Sequence, residues 1–146
     1  MIPPLWLLRI FSALHVFIYR LSGGRLGAMM NGLPVLLLTT TGRKSGRPRT
    51  LPLVYMRDEA DYIIAPGVLE RPAWYLNLRA HPQATIQIGT SAIQVNAQEA
   101  HGDERRRLWA QAPAYWHDYQ KRAKAELPVI ILQATSRLST EPDQSN

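Results

Sequence analysis

Apolar residues recur along this chain at two periods, and the change of period marks its elements. Leu7, Ile10, Leu14, Phe17 and Leu21 are spaced three or four residues apart, while Arg9, Ser12 and Arg20 form a narrow polar stripe on the other side. That period predicts an amphipathic helix over residues 4–21, closed by Ser22-Gly23-Gly24. After a loop from Gly27 to Pro34, Val35–Thr41 is a continuous apolar and β-branched run, as in a buried strand. Gly42–Pro48 is a polar turn and Thr50–Arg57 the returning strand, so the two read as a hairpin with a long loop. Asp58–Asp61 is an acidic turn, and Tyr62–Ala65 a third strand stopped by Pro66-Gly67. Pro72–Ala80 reads as a helix with proline in its first turn, closed by His81-Pro82. Ala84–Ile88 and Ile93–Ala97 alternate apolar with polar around Gly89, a second hairpin. Asp103 is expected to N-cap a helix running to about Ala112. Pro113 breaks it, a shorter helix spans Tyr115–Ala125, and Pro128–Ala134 is the last strand.

About six strands with one helix between the third and fourth, and no regular βαβ alternation, predict an antiparallel sheet or small barrel with helices outside. The class is α+β or mainly β. Residues 1–135 are expected to form one domain, and Ser136–Asn146 a polar tail that frays.

Composition narrows the chemistry. A chain of 146 residues with 46% hydrophobic content supports one core. The absence of cysteine excludes a disulfide framework, a thiolate nucleophile and thiolate metal sites. The formal charge is +6, and every charged residue before Asp58 is cationic: Arg9, Arg20, Arg25, Arg43, Lys44, Arg47, Arg49 and Arg57. Such a basic half suits an anionic partner: a phosphorylated ligand, a membrane surface or nucleic acid. The apolar run Ile10–Tyr19 is too short to span a bilayer, and no cleavage site follows it, so a cytoplasmic protein is expected. Its helix has two readings: it packs on the domain, or it lies at the inner face of the membrane, favoured by its Trp, Phe and Arg content.

The densest chemical signal is Thr39-Thr40-Thr41-Gly42-Arg43-Lys44-Ser45-Gly46-Arg47-Pro48-Arg49. Arginine offers a planar fork to phosphate, lysine a point charge and serine a further donor, between glycines that let a ligand approach. The spacing matches neither a Walker loop nor GxGxxG. A charged, solvated hairpin tip is the plainer reading. In Pro72–Arg79, the adjacent Trp74 and Tyr75 face different ways on a helix, so one can sit in the core while the other meets a ligand; simple core packing is the plainer reading. Tyr115 and Tyr119 share a helix face, with hydroxyls free to bond a substrate oxygen or simply to reach solvent. His15, His81, His101 and His117 show no metal-ligand spacing, so no metal is expected. No helix-turn-helix, RNP or KH signature points to nucleic acid.

Taken together, Leu36–Arg49, Pro52-Leu53 and Trp74-Tyr75-Leu76-Asn77-Leu78 resemble the deazaflavin-dependent nitroreductase family of actinobacteria and relatives, over about residues 14–134. The resemblance implies a split β-barrel related to FMN-binding oxidoreductases, with coenzyme F420 passing hydride to a quinone, nitroaromatic or activated alkene. It implies that Arg43, Lys44, Ser45 and Arg49 hold the phosphate and acidic tail. It places Trp74 and Asn77 beside the deazaflavin or its linker, Pro66 and Gly67 in the loop around the ring system, and Tyr115 and Tyr119 over the substrate. It also implies membrane contact by the N-terminal segment of some members. The chain departs from the family pattern in the short connection Ala65–Arg71, where many members have a longer loop. That leaves FMN, haem or a fatty acid as alternative ligands, and a non-enzymatic protein binding anionic surfaces as an alternative class. With hydride carried by a coenzyme, no side chain need be catalytic; donor and acceptor need only be held about 3–3.5 Å apart.

Overall fold

The computed structural model describes residues 4–24, 29–30, 32–67 and 71–138. Its elements are helix α1 (Leu5–Leu21), strands β1 (Met29–Met30), β2 (Leu33–Thr41), β3 (Pro48–Val54), β4 (Met56–Asp58) and β5 (Asp61–Ile64), helix α2 (Ala73–Ala80), strands β6 (Gln83–Ile88) and β7 (Ser91–Glu99), helices α3 (Gly102–Ala110) and α4 (Ala114–Arg122), and strand β8 (Ile130–Leu138). All pairings are antiparallel. The order is β1-β2-β6-β7-β8-β5-β4, with β3 on the other edge of β2.

The two outer strands of this sheet are halves of one bent segment. The expected single strand Thr50–Arg57 breaks at Tyr55, whose N–H bonds Pro34 O at 3.2 Å. Its first half pairs with β2 and its second with β5. By switching partners it closes the sheet into a barrel, the split-barrel architecture that the family resemblance implies. The six expected strands become eight through this break and through β1, which folds back on Leu33 and Pro34 inside the expected loop.

Alternation along each strand divides the core into an interior and two outer layers. Leu36, Leu38, Tyr62, Ile64, Ile86, Ile93, Val95, Ile130 and Leu132 fill the barrel, closed by Trp74, Tyr75 and Leu78 of α2. Outside, Ile63 and Ile131 meet Leu108 of α3 and Trp116 of α4. On another outer face Leu37 meets Val16 and Tyr19 of α1. β2 is therefore covered on both faces, which explains its unbroken apolar run.

α1 forms as predicted but is turned. Ile10, Leu14, Phe17 and Leu21 are exposed by 55, 51, 61 and 76%. The side that docks is Val16 and the fully buried Tyr19, and Ser12 of the expected solvent stripe is half-buried. The Tyr19 hydroxyl decides this: it accepts the Gly89 N–H at 2.7 Å and donates to Gln87 O at 3.4 Å, pinning the helix to the β6–β7 turn.

Four boundaries also differ. Asp103 is not the cap of α3; His101 holds the N-cap position without a side-chain bond, and Asp103 and Glu104 occupy the first turn, where carboxylates suit the helix dipole. α3 stops at Ala110 and α4 at Arg122, short of the expected Ala112 and Ala125. β8 runs beyond Ala134, because the long ladder with β7 extends to Leu138. The rest of the expected tail lies outside the described residues.

Candidate functional site

The basic loop between β2 and β3 is tightly self-bonded. Gly42 N–H donates to Arg47 O and Gly46 N–H to Gly42 O, both at 2.8 Å. The Ser45 hydroxyl accepts the Arg47 N–H at 3.2 Å and folds over Gly42 so closely that a Cβ there would lie 2.6 Å from it. A side chain at 42 would turn the Ser45 hydroxyl off the Arg47 N–H and crowd the Arg47 carbonyl, 3.2 Å from such a Cβ. Arg43, Lys44, Arg47 and Arg49 project from the loop and are exposed. The ion pairs in the structure join Arg105 to Glu126, Arg106 to Asp103, Arg107 to Asp58 and Lys121 to Asp118. Among the described residues no carboxylate neutralises the four loop cations.

Helix α2 supports this loop from within. Asn77 is 3% exposed and Thr40, at the end of β2, 2%. Asn77 Oδ1 accepts both the backbone N–H and Nη1 of Arg43, each at 3.1 Å, and Nδ2 donates to Thr40 Oγ1 at 3.2 Å. Asn77 thus faces the loop and the strand end. Trp74 and Tyr75 follow the core-packing reading: both are buried, in edge-to-face contact at 6.4 Å. An α2 that plugs the barrel end must bury a broad face, and adjacent positions both fall within it. The Tyr75 hydroxyl donates to the Glu99 carboxylate at 3.1 Å. Burial, then the Glu99 charge, raise its pKa.

A second group gathers where the chain leaves β5. Pro66 is buried and Gly67 half-buried. A Cβ on Gly67 would lie 3.3 Å from the Tyr119 ring, so the backbone there lies flat against that tyrosine. Tyr119 packs edge-to-face on Tyr115 at 5.5 Å, and both are half-buried. Burial raises the Tyr115 pKa, against a smaller opposite effect of its hydrogen bond with Trp116; its hydroxyl stays protonated and able to donate. The connection that carries Gly67 to Tyr119 leads on into α2, which carries Asn77 to the loop; its positions 68–70 lie outside the described residues.

Arg43, Ser45 and Asn77 thus come together in one group, flanked by Lys44 and Arg49, and Gly67, Tyr115 and Tyr119 in another, while Trp74 and Pro66 are core residues. Sequence reasoning passed over Tyr19 and, although Thr40 stood in the densest signal, gave it no role of its own. One threonine among three in a row and a tyrosine in an apolar helix cannot be singled out until their partners are known. The described residues contain no cluster of His, Cys, Asp or Glu able to hold a metal.

Comparison with known proteins identifies the family. A family model described as F420H(2)-dependent quinone reductase matches residues 11–134. An F420H(2)-dependent quinone reductase of Mycobacterium tuberculosis is 38% identical over 130 residues, covering 82% of this chain and 87% of that protein. The solved structure of an F420-H2 dependent reductase is 31% identical, with a TM-score of 0.61 over 68% of this chain and 94% of its own. A heme binding protein from Mycobacterium smegmatis shares the fold at a TM-score of 0.56, but at 16% identity over 70% of this chain and 46% of its own it speaks for the fold alone. With nearly the whole described barrel inside the family match, the chain belongs to the F420H(2)-dependent quinone reductase family, oxidoreductases whose hydride donor is the reduced deazaflavin coenzyme F420.

Proposed function

We propose that the β2–β3 loop is the anion clamp for the coenzyme, with Arg43, Lys44 and Arg49 as its cations, and that Tyr115 and Tyr119 meet the quinone. The observation that carries this is the group of four cations on a self-bonded glycine turn, uncompensated by any carboxylate among the described residues. Such a turn is rigid before the ligand arrives, so little ordering entropy opposes binding. The donors present, guanidinium, ammonium and hydroxyl, fit a phosphate and carboxylate-bearing ligand. When bound, reduced F420 supplies the hydride. The chain's part is to hold the acidic portion of the coenzyme and to donate a hydrogen bond from tyrosine as negative charge develops on a quinone oxygen. Tyr115 suits that task because its half-buried phenol, packed on Tyr119, is a protonated donor at neutral pH.

The reductase works at a membrane surface in this reading. No helix among the described residues is long and apolar enough to cross a membrane. Leu5, Trp6, Ile10, Phe11, Leu14, Phe17 and Leu21 nevertheless lie exposed on α1, beside Arg9 and Arg20. An apolar helix face flanked by cations suits anionic lipid, each cation contributing about 1 kcal/mol, and long-tailed quinones partition into lipid. The test of the whole reading is to mix the purified protein with F420, FMN and haem separately and then follow oxidation of F420H2 by a quinone. Saturable binding of F420 with quinone-dependent turnover is expected. Preference for FMN or haem, without turnover, would refute it.

A further inference from the structure

Asn77 is the one polar side chain that α2 buries, and its bonds run to the loop rather than along the helix. The two donors of Arg43 require an oxygen opposite them, which fixes the orientation of the amide. Both lone pairs of that oxygen are then engaged by Arg43, and one Nδ2 proton by Thr40, so that only the second Nδ2–H is left to meet a ligand. Holding Arg43 is a task additional to any contact with the deazaflavin or its linker.

We propose that Asn77 is a positioning residue that acts through Arg43: its neutral carbonyl aims the guanidinium without cancelling its charge, while Thr40 steadies the amide from the strand end. This rests on the loop's role as the anion clamp. A carboxylate at 77 could accept the same two bonds at 3.1 Å and, with the Thr40 hydroxyl rotated to donate, keep the third. It would differ in one respect: it would neutralise Arg43 and set a negative charge behind the anion site. An arginine held by a neutral oxygen keeps its full attraction for phosphate, with its remaining N–H groups available. This gives a physical reason for asparagine rather than aspartate at the position.

The substitution Asn77→Asp separates this role from others, because it preserves every hydrogen bond and changes only charge. Binding of F420 is read by fluorescence titration, with melting temperature and steady-state kinetics alongside. The expected result is a melting temperature within a few degrees of the parent, F420 affinity weakened tenfold or more, and kcat at saturating coenzyme within about twofold. Unchanged affinity would reduce Asn77 to a structural bond and overturn the proposal. So would a fall in kcat at unchanged affinity, which would place the residue at the reacting ring. If Asn77→Asp does not fold, Thr40→Val against Thr40→Ser serves: the valine variant should bind F420 several-fold more weakly and serine should restore it, whereas equal binding by both overturns the role. Lys44→Ala, which touches no part of the clasp, tests the loop itself. Weaker binding by Lys44→Ala with unchanged binding by Asn77→Asp removes this inference alone, and unchanged binding by both removes the anion clamp and this inference with it.

Discussion

Replacing Lys44 with alanine isolates the loop's attraction for an anion from its architecture. Arg43 is unsuited to that purpose because its guanidinium is bonded to Asn77. Lys44 is exposed, and among the described residues it has no carboxylate partner. Its removal leaves the folded state unaltered, so melting temperature without ligand should move by less than a degree or two. A charge-assisted hydrogen bond to phosphate or carboxylate contributes about 1.5–3 kcal/mol, and 1.4 kcal/mol corresponds to a factor of ten. The dissociation constant for F420 should therefore rise roughly ten- to a hundredfold. Arg49→Ala should act in the same range, and Lys44→Arg should retain most of the affinity. Fluorescence titration at two ionic strengths reads both the loss and its salt dependence. A clamp around one small coenzyme saturates at one ligand per chain and depends on salt far less than counterion release from DNA. Parental affinity in both Lys44→Ala and Arg49→Ala would refute the assignment.

Other consequences follow from particular contacts. Tyr19→Phe leaves the Gly89 N–H without its 2.7 Å partner and should destabilise the protein by about 1–3 kcal/mol in a denaturant titration; Leu14→Glu with Phe17→Glu, on the exposed face of α1, should leave stability nearly unchanged but abolish sedimentation with anionic vesicles. If the parent does not sediment, the membrane reading fails. Tyr115→Phe removes a protonated donor and should lower kcat roughly ten- to a hundredfold at unchanged F420 affinity, which steady-state kinetics with a quinone will check. Asp58 accepts two bonds from Arg107 at 2.9 Å, which hold its carboxyl below the usual carboxylate range. A lowered folded-state pKa gives stability that is present above about pH 4 and lost as pH falls through the folded value. Acid unfolding of Asp58→Asn should accordingly show a shallower pH dependence below pH 4 than the parent; identical profiles would show that the pair contributes nothing.

The strands, the three later helices and the basic loop could be read from the chain because their signals are local. Period-two alternation at Ile93–Ala97, proline at the start of α2 and glycines around Arg43–Lys44 each act within a few residues. The motif that ties the chain to its family is legible as well, as separate segments of sequence that need no fold to be compared. Tertiary structure alone decided which face of α1 docks. Its apolar stripe is the larger, yet Val16 and Tyr19 meet Leu37, and the Tyr19 hydroxyl finds a backbone donor at Gly89 only once β6 and β7 have paired. It likewise decided the work of Asn77. An amide in a helix is a surface residue by default, and becomes the support of a distant loop only when α2 closes the barrel end and brings Thr40 and Arg43 within bonding distance. The break at Tyr55 has the same origin. Nothing in Thr50–Arg57 separates one strand from two, because the partner changes from β2 to β5 only when the sheet curls far enough for both to be in reach.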